Sequence, residues 1–147
     1  ITLFREPLYL AVPADHPLAQ RNSVERSDLN GQSILTLETG HQLREQVEVL
    51  CEEFGAQLQT DFEGTSLDTL RQMVGMGMGL SFLPGLYVRS SLGDDPSVRI
   101  MELKARSLYR TIGIAWRKTS SRQREFDLLA SQVRDAVKRG FPDFPLI

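Results

Sequence analysis

Two short polar segments carry the residue types of this sequence that could bind a ligand. His41 and Arg44 lie at the start of a predicted helix, where cations can lower the pKa of a thiol or hold an anionic effector. The same side chains could equally be ordinary surface charges. Thr65 and Ser66 begin the next predicted helix, whose backbone N–H groups could bind an anion, although helix capping alone explains both hydroxyls.

Gln42 and Cys51 lie on the first of these helices. Helix capping can account for Gln42 and core packing for Cys51, without a role in binding or redox chemistry for either residue. Thr39 and Gln42 have the spacing of a capping box, an interpretation that we favour over a ligand contact by Gln42. Cys51 falls on the apolar stripe of the helix, so its thiol is predicted to be buried and unreactive. Because Cys51 is the one cysteine of the sequence, an intrachain disulfide is excluded.

Other sequence patterns that would indicate catalysis or cofactor binding are absent. His16, His41 and Cys51 do not have the spacing of metal ligands. The glycine-methionine run at 75–79 ends a predicted helix instead of following a strand, so it is not a dinucleotide-binding fingerprint. The sequence contains no G-x-S-x-G motif and no recognisable set of nucleophile, base and orienting residue. We therefore predict no metal, no cofactor and no enzymatic activity.

Composition and charge indicate an ordinary globular protein that does not itself bind nucleic acid. The 147 residues include 17 basic and 19 acidic side chains, and the net charge of −2 provides no positive excess for contacts with phosphates. The apolar stretches are too short to span a membrane. We expect a soluble, cytoplasmic protein without a membrane partner, and we expect any contact with DNA to need another segment.

Short apolar runs alternate with helical patterns along the chain. Strands are predicted at residues 8–12, 34–37, 58–62, 80–83, 99–103 and 111–116, and helices begin near 39, 65 and 121. The last helix has four apolar residues on its predicted buried face: Phe126, Leu129, Val133 and Val137. The C-terminal tail is expected to fray. The alternation predicts an open α/β sheet with helices on both faces, with ligands beyond the carboxyl ends of its strands.

The segment 65–84, TSLDTLRQMVGMGMGLSFLP, resembles the most characteristic stretch of the effector-binding domains of LysR-type transcription regulators. Both have a hydroxyl-capped helix, a valine followed by small residues and glycines, and a strand that ends in Leu-Pro. The segments 6–19 and 111–129 resemble the two hinge strands of that family together with the elements that follow them. The resemblance covers essentially the whole chain.

This resemblance implies a domain organisation. A LysR-type regulator joins an N-terminal DNA-binding domain to two α/β lobes with a periplasmic-binding-protein-like fold. The chain then corresponds mainly to the second lobe, at about 13–110, with hinge strands at about 8–12 and 111–116 and a terminal helix at about 121–139. By this correspondence, the DNA-binding domain and most of the first lobe are expected to lie outside the sequence. The family's assembly implies a homodimer or tetramer through the regulatory domains, with DNA bound only through the absent domain.

Within the family, the sequence is most similar to the hydrogen-peroxide-sensing OxyR group, through the segments 37–46, 51–56, 62–74 and 109–117. In that group, the first segment carries a peroxide-reactive cysteine, and the next cysteine is its disulfide partner. The resemblance places Gln42 at the reactive position and Cys51 at the partner position, and it places Thr65 and Ser66 at the effector cleft. Three cationic side chains are expected around the reactive position: His41, Arg44 and Arg110.

Gln42 changes the expected chemistry because an amide cannot act as a thiolate nucleophile. Disulfide switching within one chain by hydrogen peroxide is therefore impossible, and we expect a redox-regulator domain that is held in one state. Two alternatives remain open. One is a LysR-type regulator that senses a small organic anion, and the other is a periplasmic-type solute-binding protein.

Overall fold

The computed structural model describes residues 1–104 and 108–147, which form strands, helices and short helical turns. The strands are β1 (Thr2–Pro13), β2 (Ser33–Leu35), β3 (Gln57–Leu58), β4 (Leu80–Pro84), β5 (Val98–Met101) and β6 (Leu108–Gly113). The helices are α1 (Gln42–Phe54), α2 (Leu67–Gly75), the single turn α3 (Gly85–Tyr87) and α4 (Gln123–Gly140). The chain divides into a larger unit, Leu8–Leu108, and a smaller unit, Ile1–Pro7 with Tyr109–Ile147.

A mixed β-sheet is the framework of the larger unit. β2 lies between β3 and β4 and is parallel to both, while β1 is antiparallel to β4 and to β5, which gives the order β3-β2-β4-β1-β5. β4 is buried along its whole length, which explains its uninterrupted apolar run. The core also takes apolar residues from α1 and α2: Leu43, Val47, Leu50, Leu70 and Val74. The prediction of an open α/β sheet with helices is confirmed.

The C-terminal tail belongs to the smaller unit and is not frayed. The amide of Arg5 donates to the carbonyl of Pro145 at 2.8 Å, and the amide of Ile147 donates to the carbonyl of Leu3 at 3.0 Å. Phe144 is buried and anchors the tail. The expectation of a frayed tail is wrong because backbone pairing with β1 and burial of an aromatic side chain both oppose fraying.

The strands and the helix at the positions predicted for hinge strands and a terminal helix have bounds that differ from 8–12, 111–116 and 121–139. The corresponding elements are β1, which starts at Thr2, β6, which ends at Gly113, and α4, which starts at Gln123. β1 is longer than its apolar run because its first residues pair with β6 and with the tail. Residues 105–107 of the expected second lobe lie outside the described residues.

Two expectations about helices are wrong. The capping box of Thr39 and Gln42 does not form, because His41 is the N-cap residue of α1 and Gln42 is the first helical residue. The predicted buried face of α4 is wrong at Leu129, which is 49% exposed, whereas Val137 is buried as predicted and Phe126 and Val133 are half-buried. None of the helices in the described part of the chain combines the length and apolar composition needed to cross a bilayer.

Candidate functional site

The starts of α1 and α2 lie side by side at one edge of the sheet. β2 and β3 are parallel neighbours, so the segments that leave their carboxyl ends, 36–48 and 59–69, emerge at the same edge. We call these two segments the carboxyl edge. A backbone bridge joins them: the amide of Gly64 donates to the carbonyl of Thr36 at 2.9 Å, and the amide of Glu38 donates to the carbonyl of Gly64 at 3.1 Å.

Arg44 joins the two halves of the carboxyl edge. It is 9% exposed, and its guanidinium donates from Nε to Glu48 Oε1 at 2.8 Å and from Nη1 to the carbonyl of Leu37 at 3.1 Å. Nη1 also donates to the carboxylate of Glu63, which lies after β3. The hydrogen bond with Glu63 is the main cause that raises the pKa of Arg44 above its ordinary value, and burial partly opposes it. Two carboxylates and a carbonyl therefore hold this guanidinium.

The carboxyl edge is acidic, although the sequence led us to expect a cationic pocket. His41 is exposed, and its Nε2 lies 4.0 Å from Glu38 Oε1. The edge contains one arginine and no lysine against six carboxylates: Glu38, Glu45, Glu48, Asp61, Glu63 and Asp68. An anion that approached the edge would meet net negative charge. Contact of His41 and Arg44 with an effector stays a prediction.

Ser66 caps α2, as expected. Its Oγ accepts a hydrogen bond from the amide of Thr69 at 3.1 Å and lies 3.0 Å from Thr69 Oγ1. Thr65 is exposed beside it. An effector that used the Ser66 hydroxyl would compete with the cap, whose loss costs about 1 kcal/mol. The cleft role of Thr65 and Ser66 stays a prediction.

Gln42 and Cys51 lie towards opposite ends of α1. Gln42 is exposed at the first position of the helix, whereas Cys51 is 4% exposed and packs in the core. A helical rise of about 1.5 Å per residue separates the two positions by about 13.5 Å along the axis. Disulfide formation needs Cα atoms about 4.4–6.8 Å apart. A disulfide between these positions is therefore incompatible with an intact α1.

Burial of Cys51 is confirmed and predicts slow, pH-dependent thiol chemistry. Desolvation, reinforced by the Glu48 carboxylate, raises the pKa of Cys51 to about 11. At pH 8, we expect a thiol reagent to label the native protein at least about 100-fold more slowly than the urea-unfolded chain, because the thiolate is the nucleophile. Labelling of the native protein at the unfolded rate would contradict the burial.

The same shift predicts a loss of stability at alkaline pH. The pKa of Cys51 in the folded protein, about 11, lies above the value of about 8.5 for an exposed thiol. The thiol therefore favours the folded state below about pH 8.5, and this contribution is lost as the pH rises towards the folded pKa. Urea unfolding of the wild type below and above about pH 8.5 would measure this loss of stability. A Cys51→Ala variant is the control, because it should lack the part of the alkaline loss that is due to the thiol.

Arg110 belongs to the smaller unit, where its partner is a buried carboxylate. Its Nε donates to Glu6 Oε2 at 2.5 Å, and the Glu6 side chain is 0% exposed. Sequence reasoning missed Glu6, because it lies between Arg5 and Pro7, outside the apolar run of β1, and no local pattern indicates its burial. It also missed Glu48, whose i, i+4 spacing from Arg44 was a usable signal, and Glu63, for which the sequence offered no local signal.

The comparisons with known proteins identify the family. Residues 1–138 match the LysR substrate binding domain, and the chain belongs to this family. The DNA-binding transcriptional dual regulator OxyR of Escherichia coli strain K12 is 41% identical over 134 residues, which are 91% of this chain and 44% of that protein. The chain therefore spans less than half the length of this curated relative.

Crystal structures of the reduced and oxidised forms of OxyR share the fold. The reduced form matches with a TM-score of 0.81 at 36% identity, over 96% of this chain and 65% of that chain. The oxidised form matches with a TM-score of 0.81 at 38% identity, over 96% of this chain and 66% of that chain. Because both forms match equally well, the similarity establishes the family and fold without selecting one state.

Proposed function

We propose that this chain is the regulatory part of an OxyR-like, LysR-type transcription regulator of the hydrogen peroxide response, in which Gln42 replaces the reactive cysteine. The observation that carries the proposal is the arrangement of α1, with Gln42 exposed at its start on the carboxyl edge and Cys51 buried near its end. The identity of 41% to OxyR of Escherichia coli supports the assignment.

A regulatory domain of this kind works through a free-energy difference between two packings, typically about 1–3 kcal/mol. α1 is the element that a thiol switch would rearrange, because its two ends carry the positions that must meet. Since the amide of Gln42 cannot be oxidised to a disulfide, we propose that α1 stays folded and that the output is independent of peroxide. The proposed redox and effector residues remain His41, Gln42, Arg44, Cys51 and Arg110, with Thr65 and Ser66 at the cleft.

The wider organisation is part of the same proposal. The larger unit corresponds to the second lobe, β1 and β6 to the hinge strands, and α4 to the terminal helix. The net charge of −2 supports DNA binding through a segment outside this chain. We propose that the regulator assembles as a homodimer or tetramer through its regulatory domains, acts on DNA in the cytoplasm and has no enzymatic activity.

One observation favours a second candidate, a regulator that senses a small organic anion. The N-cap residue of α1, His41, makes no capping hydrogen bond with its side chain, so the first turn offers backbone amides to a ligand. The acidic carboxyl edge opposes such a ligand, which is why we place this candidate second. Solute transport has no comparable support, because the relatives reported above are transcription regulators.

A domain graft tests the proposal. This chain would replace the matching part of Escherichia coli OxyR, and transcription from an OxyR-dependent promoter would be measured with and without hydrogen peroxide. We expect the graft with Gln42 to show no response. We expect the Gln42→Cys graft to respond about tenfold, within the range that coupling free energies of about 1–3 kcal/mol produce.

The matched control is a Gln42→Cys graft that also carries Cys51→Ser, which should not respond to peroxide. A peroxide response with Gln42 intact would contradict the single-state proposal. A Gln42→Cys graft that binds the promoter but ignores peroxide would contradict the OxyR-like assignment. A graft with Gln42 that responds to an added small carboxylate, and not to peroxide, would favour the second candidate.

A further inference from the structure

The first turn of α1 has no capping side chain to stabilise it. Its N-cap residue, His41, makes no side-chain hydrogen bond to the helix. Gly40, immediately before it, has a φ of +98° and open space where a Cβ would lie. Other residues rarely adopt this backbone conformation, and residues 38–42 are all exposed. With no side-chain cap, a contact made by the first turn itself can anchor the start of α1.

Arg44 provides that anchor. Of its three acceptors, Leu37 and Glu48 lie on the same stretch of chain as Arg44, between β2 and the middle of α1. Glu63 is different, because it lies on the stretch between β3 and α2. The Arg44 side chain is 11% exposed and the Glu63 side chain 27% exposed, so the pair is largely shielded from water. A shielded, charge-assisted hydrogen bond is stronger than a surface ion pair.

We propose that the Arg44–Glu63 ion pair is a latch that makes the start of α1 and the segment 59–66 open together. The backbone bridge between Leu37 and Gly64 joins the same two stretches, and the latch adds a side-chain tie to it. Without Glu63, the acceptors left to the guanidinium are Leu37 and Glu48, both on its own stretch. In that case, a ligand or partner that moves the start of α1 no longer moves the segment 59–66 through the Arg44 side chain. The reverse also holds.

The raised pKa of Arg44 supports the latch, since its main cause is the hydrogen bond with Glu63. The chemistry of the pair is also suited to holding two segments, because a guanidinium can donate in fixed directions to several acceptors at once. The inference concerns the coupling of two segments and does not depend on which effector the domain senses. It can therefore fail while the proposed function holds, and the reverse is also true.

Hydrogen exchange of the effector-free chain tests the latch. Backbone exchange would be measured by mass spectrometry for the wild type, for Glu63→Gln and for Glu48→Gln as the matched control. Glu48→Gln weakens an acceptor of the same guanidinium but leaves the tie between the segments. We expect Glu63→Gln to accelerate exchange about tenfold or more in both 36–45 and 59–66, because a hydrogen bond to a charged group contributes that much to local opening. We expect Glu48→Gln to leave 59–66 unchanged.

Acceleration confined to one of the two segments in Glu63→Gln would overturn the latch. An equal acceleration of the core strands β1 and β4 would do the same, since it would reveal general destabilisation. A Glu48→Gln variant that accelerates 59–66 as much as Glu63→Gln would also overturn it. Arg44→Lys keeps the charge and loses the forked geometry, so it should accelerate both segments, and unchanged exchange would count against the proposal.

Discussion

In a Gln42→Cys variant, we expect hydrogen peroxide to join the two cysteines in a disulfide only if α1 unwinds. Position 42 and Cys51 lie on one continuous helix of 13 residues, and their separation along its axis is about 13.5 Å. Because a disulfide needs Cα atoms within about 4.4–6.8 Å, the helix must break before the sulfurs meet. Unwinding also removes the apolar stripe of α1 from the core, so the oxidised domain would be a different packing and not a local adjustment.

Mass spectrometry would detect the disulfide, and far-UV circular dichroism would detect the accompanying loss of a 13-residue helix. Reduction with a dithiol should restore both signals. The controls are Gln42→Ser and the pair Gln42→Cys with Cys51→Ser, whose helical signal should not change with peroxide. A disulfide with an unchanged helical signal would contradict a continuous α1, whereas no disulfide at all would count against Gln42 as the equivalent of the reactive position.

Arg110→Ala is expected to lower the free energy of unfolding by about 1.5–3 kcal/mol, the usual contribution of a hydrogen bond to a charged group. The reason is the Glu6 carboxylate, which is 0% exposed and accepts a hydrogen bond from Arg110 Nε at 2.5 Å. The variant would leave a buried charge without this partner. Urea unfolding followed by the fluorescence of Trp116 reports on the same unit, since Trp116 stacks on Phe126 with ring centroids 4.9 Å apart.

Arg117→Ala is the matched control, because Arg117 is exposed and its removal should change the stability by less than about 0.5 kcal/mol. Replacing both partners, Glu6→Leu with Arg110→Leu, should recover most of the loss, since apolar pairs can substitute for buried ion pairs. An Arg110→Ala variant as stable as the wild type would contradict the importance of the pair. Arg110 is also a proposed effector residue, so any loss of response in its variants must be compared with their stability.

Local sequence patterns were sufficient to predict α1, α2 and the burial of Cys51. The apolar stripe of α1 repeats at the helical period, and the helix ends before Gly55, whose φ of +66° suits glycine. The cap by Ser66 was also predictable, because a cap depends on residues within one turn. The same reasoning failed at the start of α1, where Thr39 offered a cap that the chain does not use. Two candidate starts lie within one turn there, and local spacing alone does not distinguish them.

The sequence by itself determined the family resemblance, the α/β class, the two helix starts at the carboxyl ends of strands and the absence of a second cysteine. The tertiary structure alone decided which charges are paired: Arg44 meets Glu63 across 19 residues of chain, and Arg110 meets Glu6 across 104. Periodicity and caps act between near neighbours on the chain and can be recognised in one sequence. Ion pairs between distant residues depend on which strands lie side by side and in what register, so only the folded chain shows that the carboxyl edge is acidic and that Arg44 is already held.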